Sequence, residues 1–131
     1  MTKCKSMPTS MVMDLKKMND VDSEEIDPYL YRQLIGSLMY LVNTRLDICY
    51  VVSVLGQFMS QSRQTHWIAM KHVLRYLQGT VGYGLKYASS VDMILQGYAD
   101  ADWAGSTVDR KSTSGCCFIL GSNMIFWCSR K

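Results

Sequence analysis

Long hydrophobic runs are missing from this sequence. No stretch reaches the roughly 18 consecutive apolar residues that a membrane-spanning helix needs. The first 20 residues mix lysines, methionines and polar residues without an uninterrupted apolar segment, which is not the composition of a secretory signal peptide. We therefore expect no membrane association and no secretion by a visible signal, but an intracellular protein, cytoplasmic or nuclear.

Common functional motifs are also missing. The sequence has no phosphate-binding loop, no dinucleotide fingerprint, and no Ser/His/Asp or Cys/His arrangement. None of the five cysteines has a partner at the two-residue spacing of zinc sites and redox motifs. Adjacent Cys116 and Cys117 would point to opposite faces of a strand, which argues against a bridge between them. Reduced thiols fit this pattern best and agree with an intracellular setting.

Composition places the chain among folded proteins. Of 131 residues, 48% are hydrophobic and 11% aromatic, which is sufficient for a packed core in one ordinary domain or two incomplete ones. The net charge of +3 is compatible with a polyanionic partner. It is far from the dense positive surface of a dedicated nucleic-acid-binding protein.

The first third of the sequence predicts a linker followed by a helix. Residues 1–27 are polar and irregular, and we expect them to form a linker or the tail of an upstream element. Asp27 can cap a helix N-terminus and Pro28 suits the first helical turn. Gly36 and Ser37, in the middle of that helix, predict a close approach to another element. The apolar positions at helical spacing are Tyr31, Leu34, Ile35, Leu38 and Val42.

Two further helices are predicted before residue 80. Thr44 can cap the second helix, and Ser62 or Thr65 can begin the third, with Gly79 placed as a C-cap glycine. The second helix would bury Ile48, Val51, Val52, Leu55, Phe58 and Met59, and the third Trp67, Met70, Leu74 and Leu77. Residues 28–80 therefore predict a small three-helix bundle.

After residue 80, short runs of β-branched and aromatic residues alternate with glycines. We predict strands near residues 85–87, 94–99, 114–120 and 124–128. The last three form an antiparallel meander, which we place in an incomplete domain, 93–131, after a connecting segment, 81–92. The predicted fold class is α+β.

Asp100 and Asp102, in the motif GYADADWAG, are the strongest candidates for chemistry. They follow an apolar strand and lie two residues apart, so an extended chain directs them to the same side. Carboxylates fixed at a strand end can hold a divalent metal ion. The alternative is that they cap turns, which is the commoner role of such aspartates.

Two basic clusters are candidates for nucleic-acid contact. Arg110 and Lys111, followed by hydroxyl residues in DRKSTSG, could contact phosphates, or they could belong to a polar hairpin loop. Lys71 and Arg75 are four residues apart on one face of the third predicted helix. That face could follow a nucleic-acid backbone, or it could be the solvated side of an amphipathic helix.

Taken together, seven motifs identify a family. Copia-type retrotransposon Pol polyproteins have similar motifs in the same order and at the same spacing, over the range from about residue 3 to the last residue. The motifs are YRQLIGSLMYL, TRLDI, HWIAMKHVLRYLQGT, YGLKY, GYADADWAG, DRKSTSG and IFWCSRK. Each is modest alone, but the ordered set is specific.

This resemblance implies what each half would be. Residues 28–80 resemble the thumb and connection region of a reverse transcriptase, and 93–131 the first three strands of a ribonuclease H-like fold. In that family the first catalytic carboxylate falls on Asp100, with Asp102 beside it as a second candidate ligand. The parent enzyme uses Mg²⁺, and its partners are an RNA–DNA hybrid or primer–template duplex and the remainder of the Pol polyprotein.

The resemblance also implies that both catalytic centres are incomplete within these residues. Ribonuclease H chemistry needs several carboxylates around two Mg²⁺ ions, and the family supplies the others from later elements. The polymerase aspartates belong upstream. We therefore expect a fragment of a reverse transcriptase/ribonuclease H that is inactive alone, and leave open whether it should be called an enzyme. The alternatives are a non-enzymatic interaction protein or effector-like protein derived from such a fragment, although no Arg-x-Leu-Arg motif is present, and a weak nucleic-acid-binding module.

Overall fold

Over the residues that the structure describes, three α-helices are followed by three β-strands. The computed structural model describes residues 4–11, 23–88, 92–101 and 112–130. It divides into a helical unit, Met1–Tyr83, and a strand unit, Gly84–Lys131. Helices and an antiparallel sheet that follow one another along the chain make an α+β protein, as predicted.

Helix α1 spans Pro28–Leu41 and begins as the sequence predicted. The Asp27 carboxylate accepts a hydrogen bond from the Tyr29 amide at 2.9 Å, and Pro28 occupies the first helical position. The close approach predicted at Gly36 is wrong, because a Cβ atom built there meets nothing within 4 Å. The tight contact is at Gly56, where a Cβ would lie 3.0 Å from the Met39 methyl carbon.

The second predicted helix is shorter than expected and has a different start. A 3₁₀-helix, Leu46–Ile48, leads into α2, Cys49–Gly56. The predicted cap, Thr44, is wrong: its hydroxyl donates instead to the Leu41 carbonyl at 3.1 Å, at the end of α1. The helix stops before Phe58, which still packs on the helical core.

Helix α3 spans Gln64–Gly79, and its buried face differs from the predicted one. The buried residues are His66, Ala69, Met70, Val73 and Tyr76. Trp67 is only half-buried. His66 can enter the core because its Nδ1 accepts from the Arg63 amide at 3.0 Å and its ring stacks on Phe58 at 4.0 Å between centroids. A polar ring whose nitrogen is satisfied can be buried at little cost.

The helices share one core, and residues 4–11 and 23–27 pack on it. Gln64 donates its amide to the Glu24 carbonyl at 2.9 Å, and Met7 is partly buried against the core. These segments lie in the stretch predicted as a linker. The buried core consists of Tyr31, Ile35, Leu38, Ile48, Val51, Val52, Leu55, Ala69, Met70, Val73 and Tyr76.

Gly79 is a close-approach glycine at the end of α3. A Cβ built there would lie 2.7 Å from the Ser6 Cβ, so residues 4–11 could not pass at this distance over a larger residue. The C-cap is Thr80, one residue beyond the predicted position. Among the described glycines, only Gly121 has a positive φ, at 61°.

The strand unit is an antiparallel meander, which confirms that prediction. Strands β1 (Leu95–Ala101), β2 (Ser114–Leu120) and β3 (Asn123–Arg130) pair in the order β1-β2-β3. Gly121 supplies the positive φ of the β2–β3 turn. No residue of these three strands is buried.

The prediction of a strand near residues 85–87 is wrong. This segment has no strand conformation and is held by side chains instead. Tyr87 donates its hydroxyl to the Met124 carbonyl at 2.8 Å, and Asn123 donates its side-chain amide to the Lys86 carbonyl. Within the described ranges, no helix is both long and apolar enough to cross a membrane.

The contrast in burial predicts unequal stability of the two units. Amides in the helices should exchange with solvent at least about tenfold more slowly than amides in the strands, because only the helices enclose a buried core. Native-state hydrogen exchange with peptide-level mass spectrometry measures both in one sample. Equal protection, or stronger protection in residues 95–130, would contradict this expectation.

Candidate functional site

Asp100 is the sixth of the seven residues of β1 and is exposed. Its Oδ1 accepts a hydrogen bond from the Ala101 amide at 2.9 Å. The sheet register places Gly115 of β2 directly opposite, with Ser129 of β3 beyond it. Since Gly115 has no side chain, nothing from the neighbouring strand covers the carboxylate at that position. The Asp100 side chain is thus accessible near the C-terminal end of a paired strand.

The described residues do not complete a metal site around Asp100. Within them, no three His, Cys, Asp or Glu side chains lie close enough together to hold an ion. Asp102 lies outside the described residues. One carboxylate does not provide the oxygen ligands that two Mg²⁺ ions need, so the residues described here do not fit a two-metal centre by themselves.

The two basic residues of α3 differ in exposure and in hydrogen bonding. Lys71 is exposed, and its Nζ lies 5.5 Å from the centroid of the Trp67 ring, within range of a cation–π contact. Arg75 is half-buried, and its Nε donates to the Lys5 carbonyl at 2.7 Å. Arg110 and Lys111, the other basic candidates, lie outside the described residues.

Residues 4–11 lie along the same face of α3. Besides the contact to Arg75, the His72 Nε2 is 2.8 Å from the Thr9 carbonyl oxygen, and the Met7 amide donates to the Arg75 carbonyl at 3.4 Å. Part of the face predicted to meet phosphates is therefore occupied by the chain itself. Lys71 is the cation of the pair that remains accessible.

The most developed polar cluster is one that the sequence did not predict. Arg45 is buried, with 8% of its surface exposed. Its Nε and Nη2 donate to the two Asp47 oxygens at 2.9 and 2.7 Å. Its Nη1 and Nη2 also donate to the Thr80 carbonyl and hydroxyl, at 3.0 and 2.6 Å. Tyr76 donates its hydroxyl to Asp47 at 2.6 Å. These four residues are called the Arg45 cluster below.

Aromatic rings complete the surroundings of the guanidinium. The Arg45 Cζ lies 5.8 Å from the centroid of the Tyr76 ring and 5.9 Å from that of Tyr83. The guanidinium therefore has hydrogen-bond acceptors in its plane and two ring contacts, an environment that arginine accepts better than lysine because its fork is planar.

Ionisation in the Arg45 cluster follows from these bonds. The hydrogen bonds from Arg45 hold the pKa of Asp47 below its ordinary value, although partial burial opposes this. The hydrogen bond to the Asp47 carboxylate raises the pKa of Tyr76, because the phenol must keep its proton to donate it. Asp47 is thus a carboxylate, and Tyr76 a phenol, over the whole neutral range.

The Arg45 cluster joins the 3₁₀-helix that leads into α2 to the end of α3. A signal for it was present in the sequence: an arginine and an aspartate two residues apart in TRLDI, and a tyrosine and a threonine four apart in HWIAMKHVLRYLQGT. Both stretches are among the motifs that carry the family resemblance. What pattern alone could not show is that the two stretches meet in space.

Relatives of the chain are transposon polyproteins. The chain is 46% identical over 105 residues to the retrovirus-related Pol polyprotein from transposon RE2 of Arabidopsis thaliana, covering 80% of this chain and 7% of that protein. It is 45% identical over 101 residues to the corresponding polyprotein from transposon TNT 1-94 of Nicotiana tabacum, covering 76% of this chain and 8% of that protein. The chain belongs to the copia-type transposon Pol family.

This Pol segment also resembles a shorter protein. It is 49% identical over 105 residues to secreted RxLR effector protein 161 of Plasmopara viticola, covering 79% of this chain and 72% of that protein. No protein-family model matches the segment, and no solved structure matches it significantly.

The Arg45 cluster predicts a specific loss of stability in this Pol segment. Asp47→Asn should lower the free energy of unfolding of the helical unit by about 2 kcal/mol, because a buried guanidinium loses its charged partner. Asp92→Asn, at an exposed aspartate outside the helices, is the matched control and should change the free energy of unfolding by less than about 0.5 kcal/mol. Urea unfolding followed by the helical circular dichroism signal measures both.

The pH dependence of the stability lost in Asp47→Asn shows whether the loss comes from the ion pair or from a packing defect. Because the folded state lowers the pKa of Asp47, its contribution is fully present above the unfolded aspartate pKa of about 3.9 and disappears as pH falls through the lower, folded value. The difference between wild type and Asp47→Asn should therefore narrow in acid. A difference that stays constant as the pH falls would contradict the ion-pair explanation.

Proposed function

We propose that this segment belongs to the reverse transcriptase/ribonuclease H region of its Pol polyprotein, where it takes part in RNA-templated DNA synthesis and in degradation of the RNA–DNA hybrid. Two observations support the proposal: the similarity to transposon Pol polyproteins and the order of the seven sequence motifs. The single observation that carries the catalytic part is the placement of Asp100, uncovered near the end of the first strand of an antiparallel meander.

The helical unit would be the thumb and connection region. Its three helices enclose a continuous buried core, so it can act as a stable body that carries a nucleic-acid-facing surface. Lys71 is the exposed cation on α3, and a primer–template duplex would meet it through phosphate oxygens. The partner class is therefore an RNA–DNA hybrid or primer–template duplex, bound by charge and without sequence preference.

The strand unit would be the first three strands of a ribonuclease H-like domain. Asp100 would contribute one carboxylate to a Mg²⁺ site in the parent enzyme, and the remaining ligands would come from carboxylates outside the described residues. Asp102 is a candidate for one of them, and Arg110 and Lys111 would lie near the hybrid. Asp100 alone does not fit two metal ions.

A second candidate function is a non-enzymatic role. It is favoured by the similarity to a secreted effector whose length this chain covers to 72%. In that case the helical unit would serve as a stable interaction module, and Asp100 would be an ordinary exposed aspartate. Mutation of Asp100 distinguishes the two candidates.

Hybrid cleavage tests the role of Asp100. The 131-residue chain alone should not cleave an RNA–DNA hybrid in Mg²⁺, since one carboxylate cannot hold two ions. In the longest soluble Pol protein that contains the segment, Asp100→Asn should reduce cleavage at least about a hundredfold, whereas the control Asp92→Asn should leave it unchanged. Cleavage by the chain alone that Asp100→Asn abolishes, or full activity of the Asp100→Asn polyprotein, would overturn this part of the proposal.

Salt dependence tests the role of Lys71. In the same longer protein, Lys71→Ala should weaken binding of hybrids of any sequence and lower the slope of log affinity against log salt by about one. If Arg75 also contacts a phosphate, adding Arg75→Ala should lower the affinity and the salt slope further. The chain alone should bind feebly, since a net charge of +3 provides little long-range attraction.

The control for this titration is Lys86→Ala, which removes the same charge from an exposed lysine of the strand unit. It should leave the slope unchanged. If Lys71→Ala and wild type show the same affinities and slopes, the exposed face of α3 is a solvated surface and not a nucleic-acid contact.

A further inference from the structure

The strand unit contains three cysteines, and the sheet register sorts them onto two faces. Cys116 of β2 is directly opposite Cys128 of β3. Cys117 is opposite Trp127 and, as the next residue along the strand, its side chain lies on the other face of the sheet. The bridge that the sequence argues against, between Cys116 and Cys117, is therefore not the pair that the fold brings together.

Cys116 and Cys128 are close enough to be linked. Their Sγ atoms lie 2.6 Å apart, and both residues are half-buried, so small reagents can reach them. Directly opposed residues of antiparallel strands have Cα atoms about 4.5 or 5.5 Å apart, and disulfides accept Cα separations of roughly 4.4–6.8 Å. A bond between these sulfurs requires no rearrangement of the strands.

We propose that Cys116 and Cys128 form a reversible thiol–disulfide site whose reaction partner is a low-molecular-weight disulfide such as glutathione disulfide. The thiolate of one cysteine attacks a sulfur of glutathione disulfide; a mixed disulfide forms and one glutathione leaves. The second cysteine attacks the protein sulfur of the mixed disulfide and releases the other glutathione. Two protein thiols are oxidised to one disulfide, glutathione disulfide is reduced to two thiols, and the two cysteine protons pass to the departing glutathiones.

The environment of the pair determines how readily it reacts. The hydrogen bond to Cys128 raises the pKa of Cys116 above its ordinary value, with a smaller contribution from desolvation. Since the thiolate is the attacking species, exchange at Cys116 should be slower than at the activated cysteines of oxidoreductases. These features describe a site that responds to the ambient thiol–disulfide balance and not a catalyst of exchange.

The bond would change the stability of the sheet. Cys116 lies in the central strand and Cys128 in an edge strand, so the link closes the β2–β3 hairpin covalently. A three-stranded sheet without buried residues is marginal by itself, and a crosslink restricts its unfolded ensemble. The oxidised strand unit should therefore open less often than the reduced one.

The test uses the full chain equilibrated in glutathione buffers that range from reducing to oxidising. Remaining thiols are trapped by acid quenching and alkylation, and linked peptides are identified by mass spectrometry. We expect a Cys116–Cys128 linked peptide, formed at a buffer ratio at least about tenfold more reducing than the ratio that modifies Cys4. Cys117 should stay open to alkylation, and hydrogen exchange in β2 and β3 should slow on oxidation and recover with dithiothreitol.

Matched variants sharpen the assignment. Cys117→Ser should leave the linked peptide unchanged, and Cys116→Ser should abolish it and leave Cys128 only as a glutathione adduct. The wild-type peptide map does not depend on how these variants fold. Oxidation of Cys116 and Cys128 at the same ratio as Cys4, recovery of glutathione adducts alone, or linkage to Cys117 would each overturn the proposal.

Discussion

The hydrogen bonds that join the Arg45–Asp47 pair to Tyr76 and Thr80 are the constraint on which the helical unit depends. Burial of a guanidinium that is only 8% exposed destabilises the fold unless its donors are hydrogen-bonded. The acceptors are the Asp47 carboxylate, the Thr80 hydroxyl and the Thr80 carbonyl. This requirement brings the 3₁₀-helix that leads into α2 against the end of α3. The apolar core between those helices packs beside the Arg45 cluster. The hydrogen bonds of the cluster fix which residues of the two helices meet, which apolar packing alone would not specify.

The two units are stabilised by different interactions. The helical unit buries its apolar residues and ties residues 4–11 and 23–27 to α3. The strand unit buries none of its strand residues and relies on its ladder and on side-chain bonds from Tyr87 and Asn123. The proposed thumb and connection role would use the first property, because a surface that meets nucleic acid needs a stable support. The proposed ribonuclease H-like role would account for the second property, because further elements of the parent protein would then cover the sheet.

Local chemistry made some elements predictable from the sequence. Asp27 followed by Pro28 fixes the start of α1, and β-branched and aromatic runs separated by turns give the three strands in their observed order. Prediction failed where a tertiary contact decides the outcome. Thr44 closes α1 instead of opening α2, and α3 turns a histidine to the core because Phe58 and the Arg63 amide complement it.

The candidate site shows the same division. The sequence pattern and the family resemblance could select Asp100 as a candidate metal ligand, and Lys71 and Arg75 as candidate nucleic-acid contacts. Neither could show that the Lys5 carbonyl engages Arg75, because that contact joins residues 70 positions apart. The Arg45 cluster escaped prediction for the same reason, since Arg45 and Thr80 are 35 positions apart and neither belongs to a recognised catalytic motif.

The most direct test of this account is a double-mutant cycle between Arg45→Met and Thr80→Val, measured as free energies of unfolding of the helical unit. Thr80→Val removes the hydroxyl that lies 2.6 Å from the Arg45 Nη2 and keeps the side-chain volume nearly constant. If the buried guanidinium joins α2 to α3, the two substitutions should be coupled by about 1 kcal/mol or more. Additive effects, with a coupling energy near zero, would contradict the claim that the Arg45 cluster holds the helices together.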